Sequence, residues 1–289
     1  MTQDEAFLQA IIEAPDDDTP RLVYADWLDE HGQDERAELI RVQCELARLA
    51  EGDSLRPELE AREWELLTDH GKEWAQPLRE AVSSWELRRG LVEAVTISGD
   101  AGAGRFIRLA PTLFRLAPIR HLCFRPETMF RRVPAGLTDM TVAEFHAVGH
   151  DCLRELTRLT ELLRVRTLDL SDNELDYRSA LVLADAPNLA GLKSLDLGTN
   201  CVSDSGARAL ANSPHLKGLE TLNLSGGEDR QADWSVIGVT RPNIGGAGAI
   251  ALASSPYLDG LKRLLLYENR LSEEAQQALR ARFAARVHF

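Results

Sequence analysis

Apolar and polar positions follow two different rhythms along the chain. Up to Leu78, apolar side chains recur three or four places apart, the spacing of one helical face. Phe7, Leu8, Ile11 and Ile12 form the first such set. Thr2-Gln3-Asp4-Glu5 introduces it in the form of a capping box, and Pro15 stops it. The acidic turn Asp16-Asp17-Asp18 leads to Thr19-Pro20, an N-cap followed by proline at the first helical position. The helix predicted there runs to His31 and ends at Gly32. Asp34 is placed to cap a third helix carrying Ala37, Ile40, Cys44 and Ala47. Further helical stretches run through Trp64 and Leu67, then Trp74 and Leu78, so a bundle of four or five short helices is expected.

Beyond residue 88 the rhythm changes to short leucine clusters at long, fixed intervals. Val165, Leu168, Leu170 and Asn173 recur as Leu192, Leu195, Leu197 and Asn200, then Leu219, Leu222 and Leu224, then Leu261, Leu264, Leu266 and Asn269. Leu168 to Leu195 and Leu195 to Leu222 are each 27 residues, whereas Leu222 to Leu264 is 42, one period plus a 15-residue insertion. Helical stretches broken by proline, Gly206 to Pro214 and Gly248 to Pro256, lie between the clusters. Earlier turns are degenerate: Val95–Ile97 and Leu122–Phe124 are strand-like, and Thr141–Phe145 is a weak strand candidate. Six or seven strands are expected, with the final RARFAARVHF covering the last repeat.

The pattern LxxLxLxxNxL resembles a leucine-rich repeat of the ribonuclease-inhibitor-like class, in which each repeat pairs a short strand with a true helix. The resemblance implies an α/β fold: a leucine-rich-repeat solenoid with a parallel β-sheet inside and helices outside, behind an N-terminal all-α head. Both leucines of each LxL pair point inward and the residue between them points out. Asn173, Asn200 and Asn269 are then structural, bonding backbone groups of neighbouring turns.

A second resemblance lies in the head. Arg21-Leu22-Val23-Tyr24-Ala25-Asp26-Trp27-Leu28-Asp29-Glu30-His31-Gly32, followed by Arg36-Ala37-Glu38-Leu39-Ile40-Arg41-Val42-Gln43, is similar to the bacterial repeat-companion domain, an N-terminal module found beside repeats. The match covers residues 1–50 and implies an architecture but no activity. The domain reading is therefore an acidic helical repeat-companion head over 1–88, and a solenoid over 89–289 with an insertion at 226–241 and a C-terminal helical cap.

Charge sharpens the division. The formal net charge is −13, and residues 1–90, with 23 acids and 10 bases, hold all of it. Such a head repels phosphates. Against it stands an arginine cluster, Arg105, Arg108, Arg115, Arg120, Arg125, Arg131 and Arg132, which meets a single acid, Glu127. An intramolecular match with the acidic head, an acidic protein partner and nucleic acid are the three readings of this cluster, in that order. The N-terminus lacks a basic signal region and no apolar run is long enough to span a bilayer, so a cytoplasmic location and no membrane partner are expected. Cys44, Cys123, Cys152 and Cys201 are widely spaced and form no disulfide or zinc framework.

Catalytic and cofactor patterns are missing from the sequence. It contains no P-loop and no G-x-S-x-G; Gly99-x-x-Gly102-x-Gly104 has the wrong form for a dinucleotide, and His146 and His150 near Cys152 lack the glutamate of a zinc-protease motif. The acids Asp16, Asp17, Asp18, Asp26, Asp29 and Glu30, with His31, fit no calcium loop. No catalytic, metal or cofactor residues are assigned. The expected function is non-enzymatic: a scaffold that holds a protein partner on the concave repeat face. That face comprises Thr167 and Asp169, Ser194 and Asp196, Thr221 and Asn223, Arg263, Leu265 and Tyr267, joined by Trp234 of the insertion. The alternative is a head that acts as effector or enzyme on a target chosen by the repeats. A weaker one is nucleic-acid binding through the 105–132 cluster.

Overall fold

A computed structural model describes residues 2–125, 151–226 and 244–289. The chain is a mixed α/β protein that divides into two compact units, Met1–Thr96 with Arg108–Arg120, and Ile97–Ile107 with His121–Phe289.

The first unit is helical from the start. Helices α1 (Gln3–Glu13), α2 (Thr19–Glu30), α3 (Asp34–Arg48) and α4 (Arg56–Trp74) precede an antiparallel hairpin of β1 (Ser84–Arg88) and β2 (Leu91–Ser98). The capping box forms: the Glu5 amide donates to Thr2 Oγ1 at 3.2 Å and the Thr2 amide to Glu5 Oε2 at 2.7 Å. The next two caps shift by one place. α2 begins at Thr19 itself, whose amide donates to Asp17 Oδ1 at 2.8 Å, and α3 begins at Asp34 with no side-chain cap. Leu8, Ile11, Tyr24, Ala25, Leu28, Ala37, Ile40 and Cys44 form the core with Leu91 of the hairpin.

The hairpin is tied down by polar groups. Arg89 (φ 48°) and Gly90 (φ 82°) make the two-residue turn, both in the left-handed region that a type I′ turn requires. A side chain on Gly90 would meet Ile40, with Cγ1 at 2.0 Å and Cα at 2.9 Å, so glycine is needed on two counts. Gln43 bridges α3 to the turn, accepting the Gly90 amide at 2.6 Å and donating to the Leu87 carbonyl at 3.0 Å. Beneath it Arg21 is fully buried and donates to Glu93 at 2.5 Å and to the carbonyls of Arg89 and Pro15. Burial pulls the Arg21 guanidinium below its ordinary value, against the opposing pull of Glu93. Arg89 extends this network to Asp18 and Glu93, both at 3.3 Å.

The second unit is the repeat array. Helix α5 (Gly99–Leu116) begins in it, and β3 (His121–Arg125) follows. Residues 151–157 are helical. The elements after them are β4 (Thr167–Asp169), α6 (Tyr177–Ala184), β5 (Ser194–Asp196), α7 (Ser203–Ala211), β6 (Thr221–Asn223), α8 (Gly246–Ala253), β7 (Arg263–Leu265), α9 (Glu273–Phe283) and β8 (Val287–His288). Strands β3 to β8 pair in chain order, all parallel. Leu168, Leu195, Leu222 and Leu264 stand in register, the alignment their spacing predicts, Leu122 pairs directly with Leu168, and all five are buried. Leu170, Leu197, Leu224 and Leu266 add the second buried row. The helices pack side by side in the same order, and a Cβ on Gly206 would stand 2.8 Å from that of Ala180.

Three side-chain ladders hold one repeat to the next. Asn200 is buried; its Oδ1 accepts the amides of Asn173 and Leu175, and its Nδ2 donates to the carbonyl of Leu170 at 2.9 Å. Asn269 does the same with the Ile244 amide and the Leu224 carbonyl, and Asn173 reaches the Phe124 carbonyl at 2.9 Å. Serine supplies the second ladder: Ser213 donates to the Ala184 carbonyl at 2.5 Å and Ser255 to that of Ala211, the last residues of α6 and α7. The corresponding carbonyl of α8, Ala253, is taken by Arg282 of α9 at 2.8 Å, and Arg286 takes that of Leu261 at 2.7 Å. The third is ionic and exposed, with Glu220 between Lys193 and Lys262. Thr141–Phe145, and the insertion beyond Gly226 with Trp234, lie outside the described residues.

Candidate functional site

Because a strand alternates its side chains, burying the leucine rows sends the intervening residues to the opposite sheet face. The register places Cys123, Asp169, Asp196, Asn223, Leu265 and His288 in one row across β3 to β8. Thr167, Ser194, Thr221 and Arg263 form the row before it. Ser171, Gly198, Ser225 and Tyr267 follow the strands. All the predicted face residues among those described are thus brought together, and Trp234 lies outside.

Most of this face is polar and internally bonded. Asp169 takes Arg125 in a two-pronged contact, Nη1 to Oδ1 at 3.0 Å and Nη2 to Oδ2 at 2.6 Å, and accepts the Ser171 amide at 2.9 Å. Burial alone would raise the Asp169 carboxyl, but the hydrogen bonds from Arg125 and Ser171 outweigh it and hold the group below its ordinary value. Asp196 accepts the Gly198 amide at 2.8 Å and Asn223 Nδ2 at 3.0 Å. Gly198 is buried under that contact, for a Cβ there would stand 2.7 Å from Asn223 Nδ2.

The character changes at β7. Leu265 is half-buried in the row and Tyr267 is 44% exposed, with the His288 ring 6.4 Å from its own. Arg125 and His288 fall outside the face residues that the sequence predicts. The Leu122-x-Phe124 alternation is the available signal for Arg125, which its membership of the arginine cluster obscures. β8 carries no leucine pair, so His288 has none.

The arginine cluster does not form one surface of free cations. Arg120 pairs with Asp16 at 2.5 Å inside the first unit, and Arg125 pairs with Asp169 in the second. Arg105, Arg108 and Arg115 lie exposed on α5, and Arg131 and Arg132 lie outside the described residues. The acids of the head are likewise spread over separate partners. Asp26 and Asp29 both hold Arg41 at 2.7 Å, so Asp26 joins α2 to α3, and Asp18 holds Arg48 and Arg89. Among the described residues no three His, Cys, Asp or Glu side chains gather as metal ligands. His146 and His150 lie outside them. No helix among the described residues is long and apolar enough to cross a membrane. Cys44 is buried, which pushes its thiol up to about 11, so it stays protonated at neutral pH.

A family model described as Leucine Rich repeat matches residues 192–211, a stretch that takes in β5 and closes with the last residue of α7. No curated protein matches the chain.

Proposed function

We propose that the protein is a non-enzymatic scaffold that holds a protein partner on the concave face of a leucine-rich-repeat solenoid. Leucine-rich repeats point to protein–protein interaction in general, and the matched repeat at 192–211 supports that class. The observation that carries the finer reading is the pair Leu265 and Tyr267, an apolar and an aromatic group on a sheet face that is polar from β4 to β6. Tyrosine is among the residues enriched at the energetic centres of interfaces, and Leu265 adds apolar area beside it. Thr167, Asp169, Ser194, Asp196, Thr221, Asn223 and Arg263 supply the polar surround, and the proposal extends to the 226–241 insertion with Trp234, which lies beyond the described residues. The hydrogen bonds that already fix Asp169, Asp196 and Asn223 reduce the ordering cost of binding. The α1–α4 head, read as a repeat-companion module, and a cytoplasmic, bacterial setting complete the proposal.

The test is affinity capture from the native cell lysate at moderate and high salt, with wild type beside Leu265→Ala, Tyr267→Ala and Trp234→Ala. A protein enriched by wild type and lost from folded variants supports the reading. A partner retained by all three variants overturns the proposed surface.

A further inference from the structure

Two exposed helix faces of the first unit match each other. One is on α4, where Trp64 is 69% exposed, more than any other large apolar side chain among the described residues. Glu58 and Glu65 lie on one side of the same helix, seven residues or about 10 Å apart, and both are exposed. Glu58 pairs with no base among the described residues. Glu65 shares Arg62 with Glu38, which already holds that guanidinium with both oxygens at 2.7 Å.

The other face is on α5. Arg108 and Arg115 are exposed and also seven residues apart. Most described arginines of this unit hold an acid, Arg41, Arg48, Arg56 and Arg120 among them, whereas Arg108 and Arg115 hold none. No acid occurs in α5 from Ala101 to its end at Leu116, and Leu116 is itself 39% exposed beside Arg115.

Helix geometry sets how the faces meet. At about 100° per residue, Glu65 follows Trp64 around α4 as Leu116 follows Arg115 around α5. A facing helix reverses left and right. Laid parallel, the faces therefore set Arg108 on Glu58, Arg115 on Glu65 and Leu116 on Trp64. The small exposed Ala61 and Thr112 lie between these groups, and the exposed Lys72 falls seven residues beyond Glu65, past the end of α5.

We infer that α4 of one copy packs against α5 of a second copy through these two faces. The occupant is a second copy because the chain carries both halves of the match, and both are exposed within one copy. Carboxylates two turns apart with an indole beside them meet guanidiniums two turns apart with an aliphatic group beside them. The formal charge of −13 opposes association at long range, but a screening length of roughly 8 Å at physiological ionic strength leaves the contacts to decide. None of these residues belongs to the sheet face, so the two surfaces are tested apart.

Sedimentation equilibrium of the full chain at about 0.15 M salt provides the test. Wild type is expected to self-associate reversibly, with a dissociation constant on the order of 0.1 mM. Arg108→Glu with Arg115→Glu, and separately Glu58→Arg with Glu65→Arg, should each weaken association about tenfold or more. Trp64→Ala, which keeps every charge, should weaken it as well. The variant with all four reversals exchanges the charges across the contact and should recover most of the association, as should an equimolar mixture of the two double variants. All replaced residues are exposed, and unfolding midpoints are checked against wild type. A wild type that stays monomeric, or an association that survives either reversal or Trp64→Ala, overturns the inference. So does a failure of both the four-fold variant and the mixture to associate more strongly than the double variants.

Discussion

The carboxylate of Asp204, on the first turn of α7, caps the helix of the following repeat: its Oδ1 accepts the Gly245 amide at 2.6 Å and the Gly248 amide at 2.9 Å. α8 has no cap of its own, since Gly245 stands at its N-cap. A Cβ on Gly248 would lie 2.6 Å from the same oxygen, so the aspartate and the glycine require one another. Asp204→Ala is expected to cost about 1–2 kcal/mol, the range for losing an N-cap. Gly248→Ala should cost at least as much by clash, and the double variant should fall short of the sum. Urea unfolding of the three variants checks this, and strict additivity would show the two residues to be independent.

Asn200 carries more than a single bond. Replacing it with alanine orphans the buried Leu175 amide, the part-buried Asn173 amide and the Leu170 carbonyl. About 3 kcal/mol of destabilisation is expected, since each buried unsatisfied group costs roughly 1–3 kcal/mol. Asn173→Ala, at a half-buried position, should cost less. Thermal unfolding ranks the pair.

In the head, the Arg21–Glu93 pair is buried on both sides, at 0% and 3% exposure. Arg21→Met leaves the buried Glu93 carboxylate with only its longer contact to Arg89, at 3.3 Å, and should cost up to about 3–5 kcal/mol, with Glu93→Leu in the same range. The double variant should recover much of the loss, because the stranded charge is gone. A double variant no more stable than the singles would mean that Arg21's bonds to the Arg89 and Pro15 carbonyls are the larger contribution.

Asp169 links stability to acid. Its folded carboxyl lies below the ordinary value, so its contribution is fully present above the unfolded value of about 3.9 and is lost as pH falls through the folded one. Asp169→Asn should flatten that part of the stability–pH curve and leave the neutral region with a smaller, pH-independent loss. Denaturant midpoints between neutral and strongly acidic pH for both proteins give the comparison.

How much is legible from residue order alone differs between the two units. The repeat register is, because Leu168, Leu195 and Leu222 must occupy one buried row and the 27-residue period leaves them no other alignment. The polar face follows from alternation. The hairpin at Arg89–Gly90 is not, because only Leu87 of β1 is buried and so short a strand shows little alternation. Helix starts move by one place at Thr19, whose amide Asp17 accepts, and at Asp34, where the helix starts with no side-chain cap. The Arg125–Asp169 clamp joins residues 44 apart, and the serine ladder joins Ser213 to a carbonyl 29 residues back. Long-range polar pairs leave no local pattern, because any hydroxyl or guanidinium at the right place suffices.

Arg282 has a consequence for how the junction between α8 and α9 tolerates sequence change. It takes the Ala253 carbonyl, the place that Ser213 and Ser255 take on the two preceding helices. It also takes the Ser255 carbonyl, and its one side-chain acceptor among the described residues is the exposed Asp259. A guanidinium anchored mainly on main-chain oxygen is largely indifferent to which repeat comes before it. Exposed side chains of the preceding repeat can therefore change without disturbing these bonds, so the junction constrains the course of the backbone more than it constrains sequence.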